Sequence, residues 1–205
     1  MRIAVINEVS ARDKNKFICE ALSGVKGAEV FSLGMGESES AELTYIHTGL
    51  MASLALNTGS ADFVVGGCGT GQGFLISAMQ YPNVYCGLIS EPLDAWLFSQ
   101  INGGNCIALA LNKGFGWAGD INLKYIFDKL FLDPPAQGFP VHRRESQKQS
   151  RAILYDINKI AHQSMAEIFK SIDKTVTDTV KGFAPFVDFI KKYGKDGELK
   201  DLIIK

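Results

Sequence analysis

Five short apolar runs, at residues 2–6, 28–33, 61–65, 84–89 and 105–109, alternate with five segments of helical spacing. The helical segments are 13–22, 45–57, 72–80, 92–100 and 121–132. Phe17, Ile18 and Leu22 fall on one face of the first, and Leu50, Leu54 and Ala55 on one face of the second. Strict alternation of strand and helix restricts a chain to a parallel α/β sheet with helices packed on its faces. The run 61–65 is almost continuously apolar, as expected of a strand covered on both faces. Right-handed crossovers leave few strand orders open.

The pattern therefore predicts an α/β fold of the flavodoxin-like (Rossmann-like) kind, a five-stranded parallel sheet with helices on both faces. In that order strands one and three are neighbours, and ligands bind at their carboxyl ends, where the order switches. The loop after strand one is Asn7-Glu8-Val9-Ser10, and the loop after strand three begins at Gly66. These two loops are expected to meet.

Prolines and glycine in Asp133-Pro134-Pro135-Ala136-Gln137-Gly138-Phe139-Pro140 end the alternation. Beyond it, 147–172, 175–193 and 197–204 carry helix-spaced apolar residues, interrupted by Gly182, Pro185 and Gly194. The reading is an α/β domain over 1–141 and a helical extension over 142–205, serving as an interface or a cover. The net charge is −1 with no basic block, so nucleic acid and anionic membrane are not expected partners. The chain opens directly on a strand pattern, and no apolar run is long enough to span a bilayer. Cys19, Cys86 and Cys106 sit in apolar-periodic segments without a CxxC pair, and Cys68 stands apart from them. Reduced thiols and a cytoplasmic location are expected.

Gly66-Gly67-Cys68-Gly69-Thr70-Gly71-Gln72-Gly73 is the chemically loaded stretch. It reads as a turn that exposes backbone N–H groups and sets one thiol before a helix N-terminus, which favours an anion or a thiolate. Phe74 stands where a dinucleotide fingerprint needs its last glycine, and where a thiol phosphatase needs arginine. No Walker lysine follows. A thiol in such a turn can act as a base beside a carbonyl, with backbone N–H groups stabilising the enediolate. The three histidines have no ligand spacing, so no metal is expected.

Gly67 to Gly73, then Ser90-Glu91-Pro92, then Gln100-Ile101-Asn102-Gly103-Gly104-Asn105, resemble the ribose-5-phosphate isomerase B and galactose-6-phosphate isomerase family across about residues 2 to 145. The resemblance implies cofactor-free aldose–ketose isomerisation of a sugar phosphate in a homodimer or homotetramer that shares its active sites between subunits. It implies Cys68 as the base and Gly69, Thr70, Gly71, Gln72 and Gly73 around the enediolate, Thr70 with a catalytic part. It also implies Tyr45 beside the site, Asn102 on the sugar, and Glu8 in place of the usual aspartate.

Three positions depart from that family. Val9 and Ile101 replace histidines, the second of them the ring opener, and Asn112 replaces an arginine, with Lys113 beside it. His142, Arg143 and Arg144 resemble the phosphate-binding segment at a different spacing, and Lys113 is a further candidate. A cyclic sugar needs a group to shuttle its ring proton, whereas a tetrose 4-phosphate cannot close the usual furanose. A short or open-chain substrate is therefore expected, unless His47 or His142 opens the ring. The competing reading is a sugar-phosphate-binding or regulatory protein on the same fold without catalysis.

Overall fold

The computed structural model describes residues 1–205. Its sheet has the order β2-β1-β3-β5-β4, with β1 (Arg2–Asn7), β2 (Glu29–Ser32), β3 (Phe63–Cys68), β4 (Cys86–Ile89) and β5 (Cys106–Ala110). Every pairing is parallel. β1 and β3 are neighbours as expected, in a register that sets Asn7 against Gly67. The chain passes over the place of β5 to lay β4 at the edge, then returns. Burial accounts for this: four of the five β5 residues are buried, whereas three of the four in β4 are only half-buried.

Helices α1 (Asn15–Ser23), α4 (Pro92–Leu97) and α5 (Gly119–Leu130) cover one face through Ile18, Leu22, Ala95, Leu123 and Phe127. α2 (Tyr45–Asn57) and α3 (Gln72–Ala78) cover the other through Leu50, Leu54 and Phe74. Beyond α2 lie α7 (Met165–Ser171), α8 (Lys174–Gly182), α9 (Ala184–Tyr193) and α10 (Glu198–Ile204). Their Met165, Phe169, Val180, Phe186, Ile190 and Ile203 join the same buried cluster, which holds 27 residues against 16 on the opposite face.

This third layer explains α2. Every residue from Thr48 to Ala55 is buried, so the helix is apolar all round, as a helix covered on every side must be. The one-face reading of Leu50, Leu54 and Ala55 covers only the sheet side. Gly49 lets α3 cross closely, since a side chain there would run into Ser77.

α6 (Arg144–Ala161) stands apart and contributes no buried residue. Polar pins hold it: Arg151 donates to the carbonyls of Ile101 at 2.7 Å and Ala136 at 2.8 Å. Ile153, Leu154, Ile157 and Ile160 on this helix are exposed. The segment read as one helix over 147–172 breaks between α6 and α7. Ser164 caps α7, taking the Glu167 N–H at 3.2 Å while the Glu167 carboxylate takes the Ser164 N–H at 3.1 Å. The segment 175–193 likewise divides at Phe183, with Pro185 in the first turn of α9. No helix is long and apolar enough to cross a membrane.

Candidate active site

Parallel strands end together, so the carboxyl ends of β1, β3 and β5 bring their loops to one edge. Cys68 is the last residue of β3 and is 5% exposed. Its side chain belongs to the α2/α3 face of the sheet. The expected eight-residue turn is shorter than the sequence suggests. Gly66 and Gly67 are strand residues, glycine for packing reasons: a side chain at 66 would strike the Phe74 ring, and one at 67 the Leu109 carbonyl oxygen and Leu111. The turn proper is Gly69, Thr70 and Gly71, so three residues separate Cys68 from α3.

Gly71 closes the turn in the left-handed region, with φ of 76°. Gly69 is held on both sides. Its N–H donates to Ser10 Oγ at 3.1 Å, and its carbonyl accepts from the N–H groups of Asn112 at 3.0 Å and Lys113 at 2.8 Å. The Cys68 carbonyl accepts from Leu111 N–H at 3.0 Å. The N–H groups of Thr70, Gly71 and Gly73 have no intramolecular acceptor. The edge thus presents a thiol and several free backbone donors, the parts an enediolate requires.

Glu8 is 8% exposed and donates its N–H to the Gly67 carbonyl at 3.1 Å. Its carboxylate accepts from Ser10 Oγ, and Asn112 Nδ2 fixes the Ser10 carbonyl at 2.8 Å. Ser10 carries no sequence signal, since a serine after a strand is an ordinary loop residue. Tyr45 opens α2 and lays its ring on Gly73, where an added Cβ would stand 2.9 Å from the ring. His47 Nδ1 accepts the Thr44 N–H at 3.1 Å and so caps α2. Burial pushes its pKa below the ordinary histidine value. Gln72 is the first residue of α3 and, with Thr70, Ser90, Lys113 and Asn122, lines a cavity of 260 Å³ on the α5 side of the sheet.

Asn102, His142, Arg143 and Arg144 do not join this group within one chain. Asn102 ends a π-helical turn, Phe98–Asn102, just before β5. The first residue of β5 pairs with Val64, four residues before Cys68 and about 13 Å down the strand. The arginine segment is tied to that same lower edge. Gly138 N–H donates to the Gln100 carbonyl at 2.8 Å, and Arg144 Nε to the Gly138 carbonyl at 3.3 Å. His142, Arg143 and Arg144 are exposed. One chain therefore carries two sets of candidate residues at opposite ends of its sheet. No group of three or more histidine, cysteine or acidic side chains could hold a metal ion.

Comparison with known proteins gives this arrangement a setting. A family model described as Ribose/Galactose Isomerase matches residues 3–138. No curated protein matches the chain by sequence. A solved 4-deoxy-L-threo-5-hexosulose-uronate ketol-isomerase, complexed with a tartrate, is 38% identical with a TM-score of 0.95, covering 98% of this chain and 96% of its own. A ribose-5-phosphate isomerase from Vibrio parahaemolyticus is 40% identical with a TM-score of 0.95, over 99% of this chain and 97% of its own. The type B ribose 5-phosphate isomerase of Leishmania infantum, at 21% identity and a TM-score of 0.63, shares the fold over 78% of this chain and 98% of its own. The match over most of the α/β part, and the end-to-end likeness to two sugar isomerases, lead to one conclusion: this chain belongs to the ribose/galactose isomerase family of sugar isomerases.

Proposed function

We propose that the protein interconverts an aldose and a ketose that carry a distal anion, through an enediolate and without a cofactor. Cys68 takes the proton from C2 and returns it to C1. The free N–H groups of Thr70, Gly71 and Gly73 stabilise the oxyanion, with Thr70 Oγ1 beside them. Glu8, Tyr45, Gly69 and Gln72 line the reacting end. The observation that carries this reading is a nearly buried thiol at the end of β3, next to the residue whose carbonyl takes the Glu8 N–H, and followed by unpaired backbone donors.

The distal anion needs cations, and near Cys68 the candidate is Lys113. Asn102, His142, Arg143 and Arg144 lie at the wrong end of their own sheet to help. A second copy of the chain supplies them in this reading, docked through the exposed apolar face of α6. Both copies then gain a complete site, as an isologous pair requires.

The substrate is open-chain. His47 is engaged as a helix cap, and Ile101 offers no proton for ring opening. Two chemistries satisfy this, a tetrose phosphate and a hexosulose uronate. The second has specific support in the ketol-isomerase at 38% identity, whose named compound has a deoxygenated C4 and a C5 carbonyl and so has no hydroxyl there to close the usual ring. In D2O, the intact protein should place deuterium at C2 of D-erythrose 4-phosphate or 4-deoxy-L-threo-5-hexosulose uronate faster than at C2 of D-ribose 5-phosphate. Cys68→Ala should lower that exchange at least about a hundredfold, the lower end for a lost acid–base group. No exchange on any of the three would instead favour a binding protein.

A further inference from the structure

Isomerisation through an enediolate needs two proton transfers. One moves hydrogen from C2 to C1, the work assigned above to Cys68. The other moves hydrogen from O2 to O1, and a carbon base does not perform it. Ser10 stands where that second transfer can occur. It is exposed, and its hydroxyl donates to the nearly buried Glu8 carboxylate. The same oxygen accepts the N–H of Gly69, the residue next to Cys68, at 3.1 Å. Its backbone is fixed from the other side by Asn112 Nδ2, at 2.8 Å from the Ser10 carbonyl. The hydroxyl is thus held by two contacts, between a carboxylate and the reacting turn, on a backbone pinned by a third.

We propose that Ser10 and Glu8 form the relay that carries the hydroxyl proton during isomerisation. This rests on the isomerase reading. After Cys68 has taken the C2 proton, the C2–H electron pair forms the C1=C2 bond and the carbonyl pair moves to O1. Ser10 Oγ then accepts the O2 proton while its own passes to Glu8. Reversal of the two hops delivers a proton to O1 and restores both side chains. Cys68 finally returns its proton to C1, the C1=C2 pair makes that C–H bond, and the O2 lone pair forms the ketone. Aldose and ketose differ by no atom, and no oxidant or reductant enters.

The relay separates two rates that a structural role would not separate. Exchange of C2–H with solvent needs only Cys68 and the oxyanion donors, whereas ketose formation also needs the relay. The measurement is deuterium at C2 of the recovered aldose against ketose formed, both by NMR, with D-erythrose 4-phosphate and 4-deoxy-L-threo-5-hexosulose uronate as probes. Ser10→Ala should lower ketose formation about a hundredfold, the lower end of acid–base contributions. Its C2 exchange should stay within about threefold of the intact protein, and Ser10→Thr, which keeps the hydroxyl, should restore turnover. Parallel loss of exchange and turnover in Ser10→Ala, or unchanged turnover, overturns the relay and leaves the isomerase reading standing. Absence of exchange in the intact protein on both probes and on D-ribose 5-phosphate overturns the isomerase reading and the relay with it.

Discussion

Phe74 closes over β3 through the space that a side chain at position 66 would take. The ring is fully buried, so it cannot swing into solvent to make room. Gly66→Ala should therefore overpack the core and destabilise the fold by about 1–3 kcal/mol, the range for added methyl groups in a filled interior. A lower urea midpoint at unchanged slope is the expected signature. The sequence shows Cys68 and its glycines plainly, but not the division of labour among them. Whether a glycine is strand or turn depends on what packs across from it, and Phe74, Leu109 and Leu111 arrive from other elements. Ser10 was illegible for a related reason, since its meaning lies in partners 2 and 59 residues away.

At the scale of the element, α2 sets Tyr45 beside the site, and its first turn depends on His47. The imidazole accepts the Thr44 N–H through Nδ1, which requires that nitrogen to be unprotonated. Partial burial lowers the His47 pKa, because desolvation disfavours the charged ring. The unfolded chain consequently binds this proton first as the pH falls. The contribution to stability is full above the ordinary histidine value of about 6.5, declines as the pH drops through it, and levels off below the folded-state value. In His47→Gln, the dependence of the melting temperature on pH should flatten across that window relative to the intact protein, as followed by circular dichroism. The existence of α2 was legible, with its residue bounds, whereas its burial on every side was not. Periodicity registers one apolar face against the sheet, and the second cover comes from helices more than 100 residues later. The break between α6 and α7 was written in Ser164-x-x-Glu167, but a continuing apolar period masked it.

At the scale of the whole molecule, the two sets of candidate residues are separated by the length of β3. If two copies complete each other's sites, two inactive variants should rescue one another. In a mixed dimer of Cys68→Ala with Asn102→Ala, one site carries both lesions and the other carries neither. Co-refolded in equal amounts, the pair should recover about a quarter of the intact protein's activity, because half the dimers are mixed and each has one intact site of two. Activity that stays at the level of the separate variants would place the whole site in one chain. The strand alternation made the sheet legible, and with it the meeting of the loops after β1 and β3. The position of β4 at the edge was not, because strand order beyond the β1–β3 pair depends on which strand is buried more deeply.

The tail bears on how the protein is made. Synthesis proceeds from the N-terminus, and domains tend to fold as units in that direction. Here the inner helix α2 emerges more than 100 residues before its outer cover, Met165 to Ile203. A nascent chain that has already formed its sheet still displays the apolar back of α2 to solvent or to a chaperone. The helix that carries Tyr45 reaches its final surroundings only once the segment from Met165 to Ile203 has left the ribosome.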